Sequence, residues 1–201
     1  MTRPHYLLHS VVLLIVAVSA AAAQEGTAHH GQTGGNATAN RLSFEKEAMS
    51  ILPPESFRQV PNMAGFLADP AKFGNGAIFL LSRSVDLNLK GTAGAADEFE
   101  RMMKTSDYQQ TVARQYVDGL GTDRFKSISV VRTDLVTVNR LPTIKVDLSM
   151  TLNDQPVSNT MLVFVNFNTD KAYYIAWFAA PNHFDEVTRA LKPTIDSIEY
   201  K

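Results

Sequence analysis

Two segments in the second half of the chain, Met161–Val165 and Tyr173–Phe178, consist entirely of apolar residues. Their length suits β-strands, and turn-forming residues separate them. Because successive side chains of a strand point to opposite faces of a sheet, each segment carries apolar side chains on both faces. Both faces must therefore be covered by other parts of the chain. This requirement predicts a sheet with a helical layer on each side, an α-β-α sandwich of the α+β class.

The two apolar segments close a series of four predicted strands. The first two strands are Lys126–Val138 and Pro142–Thr151, and the sequences Asn153–Pro156 and Asn168–Lys171 have the composition of hairpin turns. Consecutive hairpins predict an antiparallel meander. In Pro142–Thr151 apolar and polar residues alternate, so we expect one face of this strand to be wet. The residues assigned to that wet face are Lys145, Asp147, Ser149 and Thr151.

The first half of the chain predicts short strands followed by a helical region. The expected strands are Met49–Leu52, Phe57–Val60, Ala64–Leu67 and Ala77–Val85. Beyond them the apolar residues recur at helical spacing, which predicts one or two helices between Ala95 and Val117. Ser106–Gln109 matches a capping box at a helix start, and Gly119 and Gly121 are expected to end the helix.

A last helix is expected to form the second helical layer. Asn182 is the predicted N-cap, and Asp185 would lie in the first turn, where the helix dipole favours a negative charge. Pro193 is expected to kink or interrupt the helix, because proline lacks an N–H donor. The apolar stripe that would pack on the sheet is Phe184, Val187, Leu191, Ile195 and Ile198.

The N-terminus has the pattern of a signal peptide in residues 1–23. Arg3 precedes an apolar stretch that ends in alanines, and Ala21 and Ala23 stand where a signal peptidase reads small residues, so the mature chain would begin at Gln24. The protein is then exported, to a periplasm or out of the cell. The alternative is an uncleaved membrane anchor, since the stretch is about long enough to span a bilayer.

Residues 24–41 are rich in Gly, Thr, Ala, Asn and Gln and offer almost nothing to bury. We therefore expect a disordered tether there, followed by a single domain in residues 42–201. The chain contains no cysteine, which excludes disulfides and thiolate metal sites. Its 19 basic residues face 20 acidic ones, and this balance argues against a nucleic-acid ligand.

The positions of the five histidines argue against common catalytic centres. His5 and His9 belong to the predicted signal peptide, and His29 and His30 belong to the tether. Only His183 lies in the predicted domain, where we expect it on the surface at a helix start. A serine triad or a histidine-rich zinc site in the domain is therefore not expected. The mobile pair His29 and His30 would supply only part of a metal coordination sphere.

Other chemistry-bearing residues have simpler interpretations. Two carboxylates could act as acid and base, but no spacing singles out two of the candidates, and solvated charges are expected. Those candidates are Asp134, Asp147, Asp154, Asp170, Asp185 and Glu186. Gly91–Gly94 lacks the lysine of a phosphate-binding loop, and Gly74–Gly76 is explained by a turn. Tyr173, Tyr174 and Trp177 could form an aromatic binding face, but core packing is favoured. We predict no catalytic, cofactor-binding or metal-ligating residue and no cofactor.

Four stretches resemble the PsbP-like superfamily, which includes the extrinsic photosystem subunit, a Ran-binding import factor and bacterial DcrB-type proteins. They are ILPPESFRQV, VNRLPTIKVDLSM, KAYYIAWFAAP and FDEVTRALKPTIDSI, and the resemblance covers roughly Ala48 to Tyr200. The sequence departs from the pattern at Arg140, where such relatives would carry glycine. The resemblance implies an α-β-α sandwich and a binding or assembly role without catalysis, and it transfers no site residue.

Three functions are therefore compared. The first is an exported, non-catalytic binding or assembly module that presents loops or the wet sheet face to a protein partner. The second is a carrier of a small ligand in a pocket between sheet and helices. The third is a carboxylate-based hydrolase, which would need a cleft with two buried acids.

Overall fold

The computed structural model describes residues 41–61, 63–120 and 125–201. The predicted signal peptide with Ala21, Ala23 and Gln24, the histidine pair His29 and His30, and the tether up to residue 40 lie outside the described residues. The same holds for Gly121. Arg41 is already tied to the domain, because its guanidinium donates to the backbone carbonyls of Ser50 and Ser197.

The described chain forms ten strands and four helices. The strands are β1 (Leu42–Phe44), β2 (Met49–Ile51), β3 (Phe57–Gln59), β4 (Gly65–Ala68), β5 (Ile78–Asp86), β6 (Phe125–Val138), β7 (Leu141–Leu152), β8 (Gln155–Asn166), β9 (Lys171–Ala179) and β10 (Glu199–Tyr200). The helices are α1 (Pro70–Phe73), α2 (Ala95–Met103), α3 (Ser106–Leu120) and α4 (Phe184–Asp196). The predicted strands and helical regions are confirmed, with shifts of one or a few residues at their ends.

A seven-stranded antiparallel sheet in the order β3-β4-β5-β9-β8-β7-β6 forms the centre of the domain. A small sheet in the order β1-β2-β10 lies beside it. Both strands that are apolar on each face, β8 and β9, lie inside the large sheet. The predicted meander of β6 to β9 is confirmed.

The two faces of β8 and β9 pack into two separate cores. Met161, Val163 and Tyr174 belong to the first core, which the buried side of α2 and α3 closes. Phe164 and Trp177 belong to the second core, which α4 and the small sheet close. The predicted helical layer on each side of the sheet is confirmed. The aromatic residues of β9 are core residues, and Trp177 is only 3% exposed.

The hairpin of β6 and β7 turns through Asn139 and Arg140, which have φ angles of 50° and 65°. Two central residues with positive φ define the type I′ turn that suits a two-residue hairpin. Arg140 therefore occupies a left-handed position, where glycine would cost least. Asn153 and Asp154 form an equivalent turn between β7 and β8.

The predicted cap of α3 is wrong, and so is one of its two predicted end residues, while the other, Gly121, lies outside the described residues. Thr105, and not Ser106, caps the helix, because its hydroxyl accepts a hydrogen bond from the amide of Tyr108 at 3.3 Å. Gly119 does not end the helix, which continues to Leu120. Leu120 is 4% exposed within the first core. Its burial outweighs the cost of glycine in a helix, about 1 kcal/mol.

The predicted start of α4 is wrong, and of the two outcomes expected at Pro193 the interruption is wrong. His183 occupies the N-cap position instead of Asn182, and it makes no side-chain capping bond. Pro193 lies inside the helix, which continues to Asp196. Leu191 and Ile195, on either side of the proline, are both buried in the second core, so packing holds the last turn in place.

Replacement of Trp177 by alanine is expected to lower the free energy of unfolding by about 3–5 kcal/mol, the usual cost of truncating a buried aromatic residue. The variant also leaves Thr188 without the indole N–H that donates to it at 2.9 Å. The matched control is Val131→Ala, since Val131 is 66% exposed; it should change the free energy by about 0.5 kcal/mol or less. Urea unfolding followed by circular dichroism measures both, and equal losses would contradict the two-core arrangement.

Candidate functional site

Each candidate carboxylate has its own neighbours in the structure, and no two of these carboxylates are placed as an acid and base pair. Asp154 accepts from Lys126 at 3.3 Å, and Asp170 accepts from the backbone amides of Leu89 and Lys90. Asp185 and Glu186 lie in the first turn of α4. Asp134 and Asp147 are described below. Within the described ranges, no group of three His, Cys, Asp or Glu side chains is placed to hold a metal ion.

His183 lies at the start of α4, as the sequence predicts, but it is half-buried instead of open on the surface. Its Nδ1 is 4.0 Å from a carboxylate oxygen of Glu186, one turn along the helix. Its ring packs against Gly74, where an added Cβ would come within 3.0 Å of the ring. The imidazole is therefore part of the contact between α4 and the turn after α1.

Every tyrosine in the described part of the chain has a raised pKa. Burial raises the pKa of Tyr108 to about 12. Burial also raises the pKa of Tyr116, Tyr173, Tyr174 and Tyr200. Since these phenols stay protonated at neutral pH, none of them is suited to act as a general base.

Two surface clefts lie outside the sheet. One, of about 330 Å³, runs between α4 and the segment that contains Pro53 and Glu55. The other, of about 200 Å³, lies beside Leu89 and the first turn of α2. No strand of the large sheet lines either cleft. Neither is the pocket between sheet and helices that a carrier of this design would need.

The feature that distinguishes the surface is a polar face on one half of the large sheet. We call Arg132, Asp134, Lys145, Asp147 and Ser149 of β6 and β7 the polar face. The register pairs Arg132 with Asp147 and Asp134 with Lys145, so these four charges lie on one side of the sheet. Each charge has an opposite charge both along its strand and across to the next strand.

Short contacts fix this arrangement of charges. The Nε of Arg132 is 2.5 Å from a carboxylate oxygen of Asp134, and the Nζ of Lys145 is 2.9 Å from one of Asp147. Asp147 also accepts a hydrogen bond of 2.5 Å from the hydroxyl of Thr160 on β8, which is buried. The two ion pairs are partly exposed. Ion pairs at a protein surface contribute about 0–1 kcal/mol each, so their main effect is to set the pattern of charge that the face presents.

The polar face is partly exposed because the fully buried apolar residues of the second core reach no further than β8, and only Leu141 and Val138, near the β6–β7 turn, still pack against that core. Leu162 and Phe164 of β8 still pack in that core, whereas Lys145 and Asp147 of β7 lie beyond it. Strand β6 then forms the end of the sheet, and among the described residues no strand pairs with its outer edge. The exposed large apolar residues found in the described part of the chain are Val130 and Val131, both on β6, at 46% and 66%.

The alternation predicted in β7 is confirmed, because Ile144, Val146, Leu148 and Met150 lie in the first core. The opposite face is less wet than predicted, since Ser149 is exposed and Lys145, Asp147 and Thr151 are half-buried. The sequence did not reveal that Arg132 and Asp134 belong to the same face or that β6 is an edge strand. Strand register and strand order decide both properties. The alternation of charged Arg132 and Asp134 with Thr133 and Leu135 was the available local signal.

Comparison with known proteins identifies the fold. No family model matches the sequence, and no curated protein matches it closely enough to count as a relative. Solved structures do match. Cyanobacterial PsbP (CyanoP) from Synechocystis sp. PCC 6803 is similar with a TM-score of 0.54 at 12% identity, over 85% of this chain and 98% of that one. The Ran-binding protein Mog1p of Saccharomyces cerevisiae is similar with a TM-score of 0.51 at 10% identity, over 80% and 94%. The chain therefore has the PsbP-like fold, as the sequence resemblance implies.

None of the helices in the described ranges is long and apolar enough to cross a bilayer.

The raised tyrosine pKa values predict loss of stability in alkali. A phenol with a higher pKa in the folded state than in the unfolded state leaves stability intact below the unfolded value of about 10, and stability falls as the pH rises above it. Between pH 10 and 12 the phenols should therefore ionise together with unfolding. Absorbance at 295 nm and near-ultraviolet circular dichroism should change at the same pH, and separate ionisation of the folded protein near pH 10 would contradict the burial of these side chains.

Proposed function

We propose that the protein is an exported, non-catalytic binding or assembly module whose polar face contacts a protein partner. The observation that carries the proposal is the ordered set of four alternating charges on the part of β6 and β7 that the second helical layer leaves uncovered. Such a pattern favours recognition, because charge complementarity across an interface selects partners and fixes their register.

The charges also define the chemistry of the partner. The polar face has two positive and two negative groups, already neutralised within the chain, so it suits a protein surface of mixed charge. Nucleic acid would require a basic excess, which the chain lacks. The fold supports the proposal by analogy only: Mog1p is a Ran-binding protein by name, and a shared fold does not by itself transfer a function.

The absence of catalysis is part of the proposal. It is supported by the local pairing of the candidate carboxylates and by the high pKa of the tyrosines in the described residues. It also agrees with the position of His183, which contacts Gly74 and Glu186 instead of facing a nucleophile.

A photoreactive amino acid at Ser149 should form adducts with a specific protein of the producing cell's envelope or medium. Ser149 lies exposed on the polar face. The same probe at Asp118, exposed on α3, is the control and should form no such adduct. Mass spectrometry identifies the adducts. Equal labelling from both positions would contradict the proposal, and a co-purifying metabolite without a protein would favour a carrier.

Reversal of charge at Lys145 tests the role of the four charges in the same assay. Lys145→Glu places a carboxylate between Asp134 and Asp147, so the adduct from Ser149 should fall about tenfold, corresponding to 1.4 kcal/mol of lost binding. Lys104→Glu is the matched control, because Lys104 forms an exposed ion pair with Glu100 on α2, outside the polar face. If both variants reduce the adduct equally, the polar face is not the contact.

Export rests on the proposed signal peptide in residues 1–23, followed by the tether in 24–41 and the domain in 42–201. Intact-mass measurement of the protein from the producing cell should give a chain that begins at Gln24, recovered from the periplasm or the medium. A chain that retains residues 1–23 in the membrane fraction would instead establish the anchor.

A further inference from the structure

The outer edge of β6 contains a regular segment that is bounded at both ends. Pairing with β7 shifts register between Lys126 and Ser129 and again between Val130 and Arg132, and it is regular from Arg132 to Val138. The turn at Asn139 and Arg140 then ends the strand. Register shifts bend an edge and interrupt its hydrogen-bonding groups. Arg132–Val138 is therefore the part of this edge that a further strand can join, and we call it the free segment.

The turn determines which backbone groups of the free segment are available. In a two-residue hairpin the closing pair, here Val138 and Leu141, is hydrogen-bonded, and such pairs then alternate along the ladder. By this alternation Thr137 and Pro142 form a pair without hydrogen bonds. Proline suits such a pair because it has no N–H to donate. The N–H and C=O groups of Thr133, Leu135 and Thr137 therefore point away from β7, toward the open edge.

We propose that the free segment pairs with the same segment of a second copy of this chain, antiparallel and centred on Leu135. This alignment places the whole regular segment of one copy on that of the other. Thr133 then faces Thr137 of the second copy, and Leu135 faces Leu135. Pairs of threonines and pairs of apolar residues are favourable cross-strand neighbours.

Charge selects this alignment and favours a second copy as the occupant. Arg132 and Asp134 neutralise each other at 2.5 Å, and Lys145 lies opposite Asp134, so two free segments meet without net repulsion. An alignment centred on Asp134 would oppose the two carboxylates directly. An alignment centred on Thr133 would oppose the free segment with the bulged residues Val130 and Val131 and so lose most of the regular pairing.

The pairing would join the polar faces of two copies. The two-fold axis of an antiparallel strand pair runs perpendicular to the sheet, so both polar faces lie on the same side. The dimer then presents the four charges twice on one continuous surface. The pairing does not depend on the proposed partner and is tested without one.

A proline at Thr137 should abolish the dimer while leaving β6 paired with β7. The N–H of Thr137 points to solvent in a single copy, and proline is tolerated at such positions of an edge strand. The exported chain should have twice the monomer mass in light scattering at micromolar concentration, and Thr137→Pro should have the monomer mass. Thr137→Ala keeps the N–H and should remain dimeric. A monomeric parent chain, or a dimeric Thr137→Pro chain, overturns the proposal.

Cysteine pairing tests the register independently and decides the matter if the proline variant fails to fold. The chain has no cysteine of its own, so the background is clean. A mixture of Thr133→Cys and Thr137→Cys chains should form a disulfide-linked dimer under mild oxidation, because the facing residues are within disulfide reach. Each variant alone should give less than about a tenth of that product. Equal linkage of Thr133→Cys with itself, or no linkage in the mixture, overturns the proposed pairing.

Discussion

Burial of β8 and β9 on both faces is the constraint on which the rest of this structure depends. A strand with apolar side chains on each side is stable only between two layers, because each large side chain left in water forfeits about 1.5–3 kcal/mol. The chain meets this requirement with α2 and α3 on one face and α4 with the small sheet on the other. The two cores have no residue in common, and the backbone of the sheet separates them.

The two layers do not extend equally far across the sheet, and this inequality creates the candidate site. The first core extends across β7, where Ile144, Val146 and Leu148 are buried, to Phe125 at the start of β6. The second core extends onto β7 only near its first residues, where Leu141 packs against it, so the rest of that side of β7 is partly exposed and carries Lys145 and Asp147. A strand with one polar face belongs near the end of a sheet, and β6 beyond it forms the open edge. Polar face and open edge are therefore two consequences of the same packing limit.

Part of the site follows from local sequence and part does not. Lys145, Asp147 and Ser149 were predicted on a wet face, because alternation within one strand fixes which side chains share a face. The pairing of Arg132 with Asp147 depends on a register that passes a shift at Val130. No pattern within β6 alone specifies that register, since each bulge moves every later side chain to the other face. The free segment depends on the same register, and for this reason the sequence did not predict it.

The sequence by itself determined the two helical layers, the antiparallel meander and the core residues of β8, β9 and α4. It could do so because apolar periodicity is a local property, and it predicts which face of each element must be buried. Only the tertiary structure decided the strand order, the exposure of β6 and the ends of the helices. At Gly119 and Pro193 the intrinsic preference of one residue favoured an end, and burial of Leu120 and Ile195 overcame it. The packing of a buried side chain sums over many contacts with distant parts of the chain, whereas helix propensity acts at a single position. At these two positions packing therefore outweighs propensity.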